Sequence, residues 1–143
     1  MKSIKYFIQL VTSLVALTTF NLSAGAMEVS PEATEEVRVV AAKAKLSAES
    51  DALVVFAKGL CCPSCAIGVR KMISSLDFVD RKRFNKGVEL DTKVQLITVA
   101  IGEENTPNYE SLTEAIVDAG YDPVHSYSLN EGNLLTKPLI TDS

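Results

Sequence analysis

The chain has 143 residues, 47% of them hydrophobic, with 14 basic and 18 acidic side chains and a formal net charge of −4. That length suits one small domain, and the acidic balance argues against nucleic acid, which requires a basic footprint. With one histidine, no Ser-His-Asp set and no phosphate loop, hydrolytic or phosphoryl-transfer catalysis has no support in the residues.

The first 26 residues have the layout of a secretory signal peptide. Lys2 and Lys5 precede the largely apolar stretch Phe7 to Phe20, and Ala24 and Ala26 supply an A-x-A cleavage pattern. The apolar stretch is shorter than the ~20 residues a spanning helix needs. Cleavage is expected after Ala26, so the product starts at Met27, has no membrane span and is periplasmic by a bacterial export route. Its 117 residues would carry 12 basic and 18 acidic side chains, a balance of −6. No cysteine lies near the cleavage site, so no lipid anchor is expected.

Residues 27–50 are rich in Ala, Glu and Ser and contain no aromatic residue. Val37, Val40, Ala41 and Ala44 follow helical spacing, but the apolar face is mostly small, so a linker or marginal helix is expected here. Residues 51–127 have the marks of a folded domain. "LVVF" at 53–56 is a short β-forming run closed by Gly59. Pro63 suits the first turn of a helix, and Val69, Met72, Ile73 and Leu76 form one apolar stripe along it. Segments 87–91 and 94–101 are strand-like, with residues 77–86 forming a loop or an extension of the first. Within 94–101, Val94, Leu96, Thr98 and Ala100 alternate with Gln95, Ile97, Val99 and Ile101, so only one face is strongly apolar. The basic run Arg81 to Arg83 reads as a solvated edge.

Thr106-Pro107 predicts the start of a second helix, Leu112, Ala115, Ile116 and Ala119 its stripe, and Gly120 its end. Residues 121–127 close the domain as a strand, and 128–143 read as a flexible tail. The order strand, helix, strand, strand, helix, strand predicts an α+β, ferredoxin-like βαββαβ sandwich. Two helices would lie on one face of a four-stranded antiparallel sheet.

All three cysteines fall in "GLCCPSC", residues 59–65. Cys62 is expected at the N-cap of the first domain helix and Cys65 at its third position, where the helix dipole favours thiolate over thiol. Paired thiolates select soft ions, Cu(I) and Hg(II) above Mg(II) or Ca(II). A structural zinc site wants four ligands, and His125, on the last strand, reads as a plain edge histidine. A structural disulfide is the default for exported cysteines, but three clustered thiols close no long loop. A thiol-disulfide oxidoreductase could use the same C-P-x-C, although no thioredoxin-like parallel βαβ core precedes it. An adaptor that docks a membrane transporter is a third reading.

"GLCCPSCAIGVRKMISSLDFV" resembles the metal-binding motif of heavy-metal-associated (HMA) domains, G-M-x-C-x-x-C followed by apolar residues at fixed offsets. Gly59, Cys62 and Cys65 match it, and Val69, Ile73, Leu76 and Val79 fall on the family's core positions. "EAIVDAGYDPV" resembles the second helix and its Gly-Tyr exit, which places Tyr121 in the loop facing the metal and makes it a candidate for the shell around the ligands. Exported single-domain members are similar to periplasmic mercury-binding proteins, and cytoplasmic ones act as copper chaperones or transporter modules. The resemblance covers 52–127 and implies a carrier, not an enzyme. Its cargo would be one Cu(I) or Hg(II), held by Cys62 and Cys65 with Cys61 as a candidate third ligand. The ion would pass by ligand exchange to a membrane metal transporter or another thiol-bearing protein. A monomer is expected, with a metal-bridged dimer as the alternative. The sequence departs from the family at Leu60, where methionine is usual, at Cys61, and in a longer 77–93 connection.

Overall fold

The computed structural model describes residues 32–64 and 66–139; the expected signal peptide and Cys65 lie outside them. The element order is α1 (Glu35–Ala48), β1 (Ala52–Lys58), α2 (Ala66–Ser74), a short helical turn Phe84–Gly87, β2 (Val88–Asp91), β3 (Leu96–Ala100), α3 (Tyr109–Asp118), β4 (Asp122–Asn130) and β5 (Asn133–Pro138). The strands form one antiparallel sheet in the order β2-β3-β1-β4-β5.

Strand alternation divides the apolar residues between two faces. Leu53, Val55 and Ala57 of β1, with Ile97 and Val99 of β3, pack against Ala66, Val69 and Ile73 of α2 and Leu112, Ala115 and Ile116 of α3. The stripes expected for the two domain helices are thus the ones buried. The other face carries Val54, Phe56, Leu96 and Tyr127, and these pack with Ala42 and Leu46 of α1. All five residues of β3 are buried, so its second face is also core.

Four sequence expectations are corrected or narrowed. Among the described residues the sheet has five strands, not four, because residues 133–138 pair with 125–130 through a hairpin at Glu131 and Gly132. Most of the expected tail is therefore ordered sheet, and Leu139 beyond it reaches the core. Five of the six β5 residues are exposed, so no apolar pattern announced the strand. Second, of the linker and the marginal helix expected for 27–50, residues 35–48 form a helix, and it packs over the sheet face opposite α2 and α3. Third, its buried stripe is Arg38, Ala42 and Leu46, while Val37 and Val40 are exposed. The guanidinium of Arg38 lies 3.8 Å from the Phe56 ring centroid, so a cation–π stack replaces an apolar contact there. Fourth, α3 is capped by Asn108, whose side chain accepts from the Ser111 amide at 3.2 Å, and not by Thr106.

Between α2 and β2 the chain turns back on itself. The Asp80 amide donates to the Ala100 carbonyl at 3.0 Å and Val79 bridges to Ile101. A β-carbon on Gly87, which has φ +83°, would lie 2.5 Å from Val79 Cγ1 and 2.6 Å from the Asp80 carbonyl oxygen. Only glycine satisfies both the left-handed backbone and that close approach.

Candidate functional site

The thiol loop is held at both ends. Leu60 is fully buried in the α2/α3 core, a contact worth about 1.5–3 kcal/mol, and it anchors the stretch between β1 and the thiols. At the other end the Ala66 amide donates to the Cys62 carbonyl at 3.1 Å. That bond ties Cys62, four residues ahead, to the first residue of α2. The Cys61 amide donates to the Gly59 carbonyl at 2.8 Å, which tightens the loop just before the pair.

The side chains differ in environment. Cys61 is an exposed free thiol, and Cys62 is half-buried. The Cys62 sulfur lies 3.0 Å from the Ser64 hydroxyl, a contact in which either group can donate. Sequence reasoning assigned Ser64 no role, although its place two residues past a thiol just ahead of a helix was a usable signal. Cys65 lies outside the described residues.

Tyr121 reaches the loop from just beyond the end of α3. The exit of α3 is a Schellman motif: the Tyr121 amide donates to Ile116 at 3.1 Å and the Gly120 amide to Val117 at 2.8 Å, with Gly120 at φ +88°. This turn leaves Tyr121 packed on the core, with its Cδ1 3.7 Å from where a β-carbon on Gly59 would stand. The ring therefore borders Gly59, where the thiol loop starts.

His125 belongs elsewhere. Its ring meets Phe56 and Tyr127, with centroid distances of 5.4 and 4.7 Å, and its Nε2 shares a hydrogen bond with the Tyr127 hydroxyl. Burial holds its pKa below the ordinary value; the nearby Glu35 opposes the shift and Arg38 adds to it. Burial raises the pKa of Tyr127. His125 is thus part of the packing beneath α1, not the plain edge histidine expected. Among the described residues no three His, Cys, Asp or Glu side chains gather as a metal site.

No family model matches this chain, and no curated protein does. Over about half its length it is similar to two solved structures, both HMA domains. Oxidized MerP from Ralstonia metallidurans CH34 is 26% identical, with 50% of this chain and 90% of that one covered and a TM-score of 0.41. The yeast copper transporter domain Ccc2A, solved in apo and Cu(I)-loaded states, is 20% identical, with 56% and 96% covered and a TM-score of 0.40. Superpositions this partial carry no functional reading, which has to rest on the thiol loop.

Proposed function

We propose that this protein is a carrier of one soft thiophilic ion, Cu(I) or Hg(II), acting in the periplasm after removal of residues 1–26. Cys62 and Cys65 are the ligands, and the cargo leaves by ligand exchange with the thiols of a membrane metal transporter or another metal-handling protein. The observation that carries the reading is the hydrogen bond that ties half-exposed Cys62 to the first residue of α2, on a loop anchored by Leu60. A thiolate there meets the positive end of the helix dipole, and Cys65 follows three residues later, the spacing that lets two sulfurs share one ion. Soft ions accept so low a coordination number. Tyr121 would border the loaded site.

Titration of the fully reduced protein against a competing thiol chelator tests this. About one Cu(I) or Hg(II) per chain is expected from a single dithiolate, with little insulin reduction or disulfide isomerisation. Strong turnover in those assays with weak metal competition would instead favour a thiol-disulfide oxidoreductase.

A further inference from the structure

Ile67, Arg70, Lys71 and Ser74 share the outer side of α2, and they form one wall of a cleft of about 620 Å³. Arg81, Asn85 and Lys86, from the connection to β2, line the other. Four cations thus meet in one concavity, with no carboxylate in its lining. The chain has more acids than bases, so chance would favour mixed pairing. Yet among the described residues none of these four cations forms an ion pair, while Arg38, Lys45 and Arg83 each do.

The hydrogen bonds of the two arginines tie the walls together. Arg70 Nε donates to the Val88 carbonyl at 3.3 Å and Arg81 Nη2 to the Ser75 carbonyl at 3.2 Å. Each guanidinium is positioned by one bond and keeps other N–H groups for a ligand. Independently, Ser74 also lines the cleft, and its hydroxyl is buried without a hydrogen-bond partner among the described residues. A buried hydroxyl left unpaired is costly, and a ligand acceptor would satisfy it.

We infer that this cleft binds a phosphate-type oxyanion, free or as the headgroup of an anionic lipid, separately from the thiol site. The cleft runs along α2 from Ile67 to Ser74, and the C-terminal end of that helix contributes roughly half a negative charge through its dipole. Four cations outweigh it, and Arg81 already satisfies one of the terminal carbonyls. Arginine and lysine with a hydroxyl donor supply the charge-assisted bonds that a tetrahedral oxyanion accepts on several oxygens. The apolar side chain of Ile67, 62% exposed at the rim, suits the glyceryl part of a lipid headgroup as well as open solvent.

The test is a titration of the full chain with inorganic phosphate at constant ionic strength, followed by amide NMR shifts. Saturable shifts at Lys71, Ser74, Ser75 and Lys86 are expected, with a binding loss of about tenfold or more in Lys71→Glu/Lys86→Glu from two reversed charges. Ser74→Ala should weaken binding several-fold while leaving the thermal midpoint unchanged or higher, because it removes an unpaired hydroxyl. Co-sedimentation with phosphatidylcholine vesicles, with and without phosphatidylglycerol, separates the sources. Binding only to the acidic vesicles, competed by phosphate, identifies the headgroup; phosphate binding without vesicle binding identifies the free ion. Phosphate shifts absent from these amides, or unchanged in the double variant, would overturn the inference. Binding to polyglutamate alone would overturn it in favour of an acidic protein surface.

Discussion

At the thiol loop the three cysteines are unequal in their surroundings. Cys61 is exposed, Cys62 is half-buried beside the Ser64 hydroxyl, and Cys65 follows three residues later in the sequence. The Cys62 sulfur sits beside the Ser64 hydroxyl, whereas Cys61 is exposed and stands one residue outside the C-x-x-C spacing. Cys61→Ser should therefore leave one-to-one metal binding nearly intact, while Cys62→Ser or Cys65→Ser weakens it by orders of magnitude. Chelator competition measures the affinities, and X-ray absorption counts the sulfurs. Three sulfurs in a monomer, reduced to two by Cys61→Ser, would make Cys61 a ligand. His125 gives a second prediction at this scale. The folded pKa lies below the unfolded one, so the unfolded chain takes up a proton near pH 6.5 that the folded chain accepts only at lower pH. Stability from this group is therefore full above the unfolded value, declines as pH falls through it, and levels off below the folded value. Urea midpoints across that window should drop toward acid in the parent and drop less in His125→Gln. The slope matters here, not the absolute midpoint, because the ring also packs on Phe56.

Among the elements, the connection from α2 to β2 is the least forgiving. Gly87→Ala would press a methyl group into Val79 and the Asp80 carbonyl on a left-handed backbone. It should cost about 2–4 kcal/mol, combining overpacking with φ strain, read from urea denaturation. The first helix is a lid on one sheet face rather than a spacer. Removing residues up to 50 would bare Val54, Phe56, Leu96 and Tyr127. A contiguous apolar patch of that kind favours association, so the truncated chain should bind a hydrophobic dye and self-associate in sedimentation. The cation–π stack of Arg38 on Phe56 predicts that Arg38→Ala costs about 1–2 kcal/mol, while Val40→Lys on the exposed side changes stability by less than about 0.5 kcal/mol.

For the molecule as a whole, the βαββαβ order was legible because each of its signals is local. Val69 and Ile73 repeat at helical spacing on α2, Leu112 and Ile116 do so on α3, and Gly120 carries the positive φ of a helix exit. The placement of Cys62 just ahead of α2 was legible for the same reason, since the apolar stripe behind it marks the helix. By itself the sequence determined the alternation of core strands and helices, the loop bearing the thiols, and the soft-ligand chemistry available to it. Only the tertiary structure decided the rest. The fifth strand is mostly exposed and joins through backbone hydrogen bonds along the edge of β4, which leave no apolar period to read. The buried side of α1 runs through Arg38 because the Phe56 ring lies beneath it, a pairing across 18 residues that periodicity does not encode. The cleft between α2 and residues 81–86 likewise joins cations that are scattered in the chain and meet only when the connection folds back on the helix. Short-range preferences act through each residue's own backbone and near neighbours, whereas these contacts depend on which surfaces the finished sheet leaves to be covered.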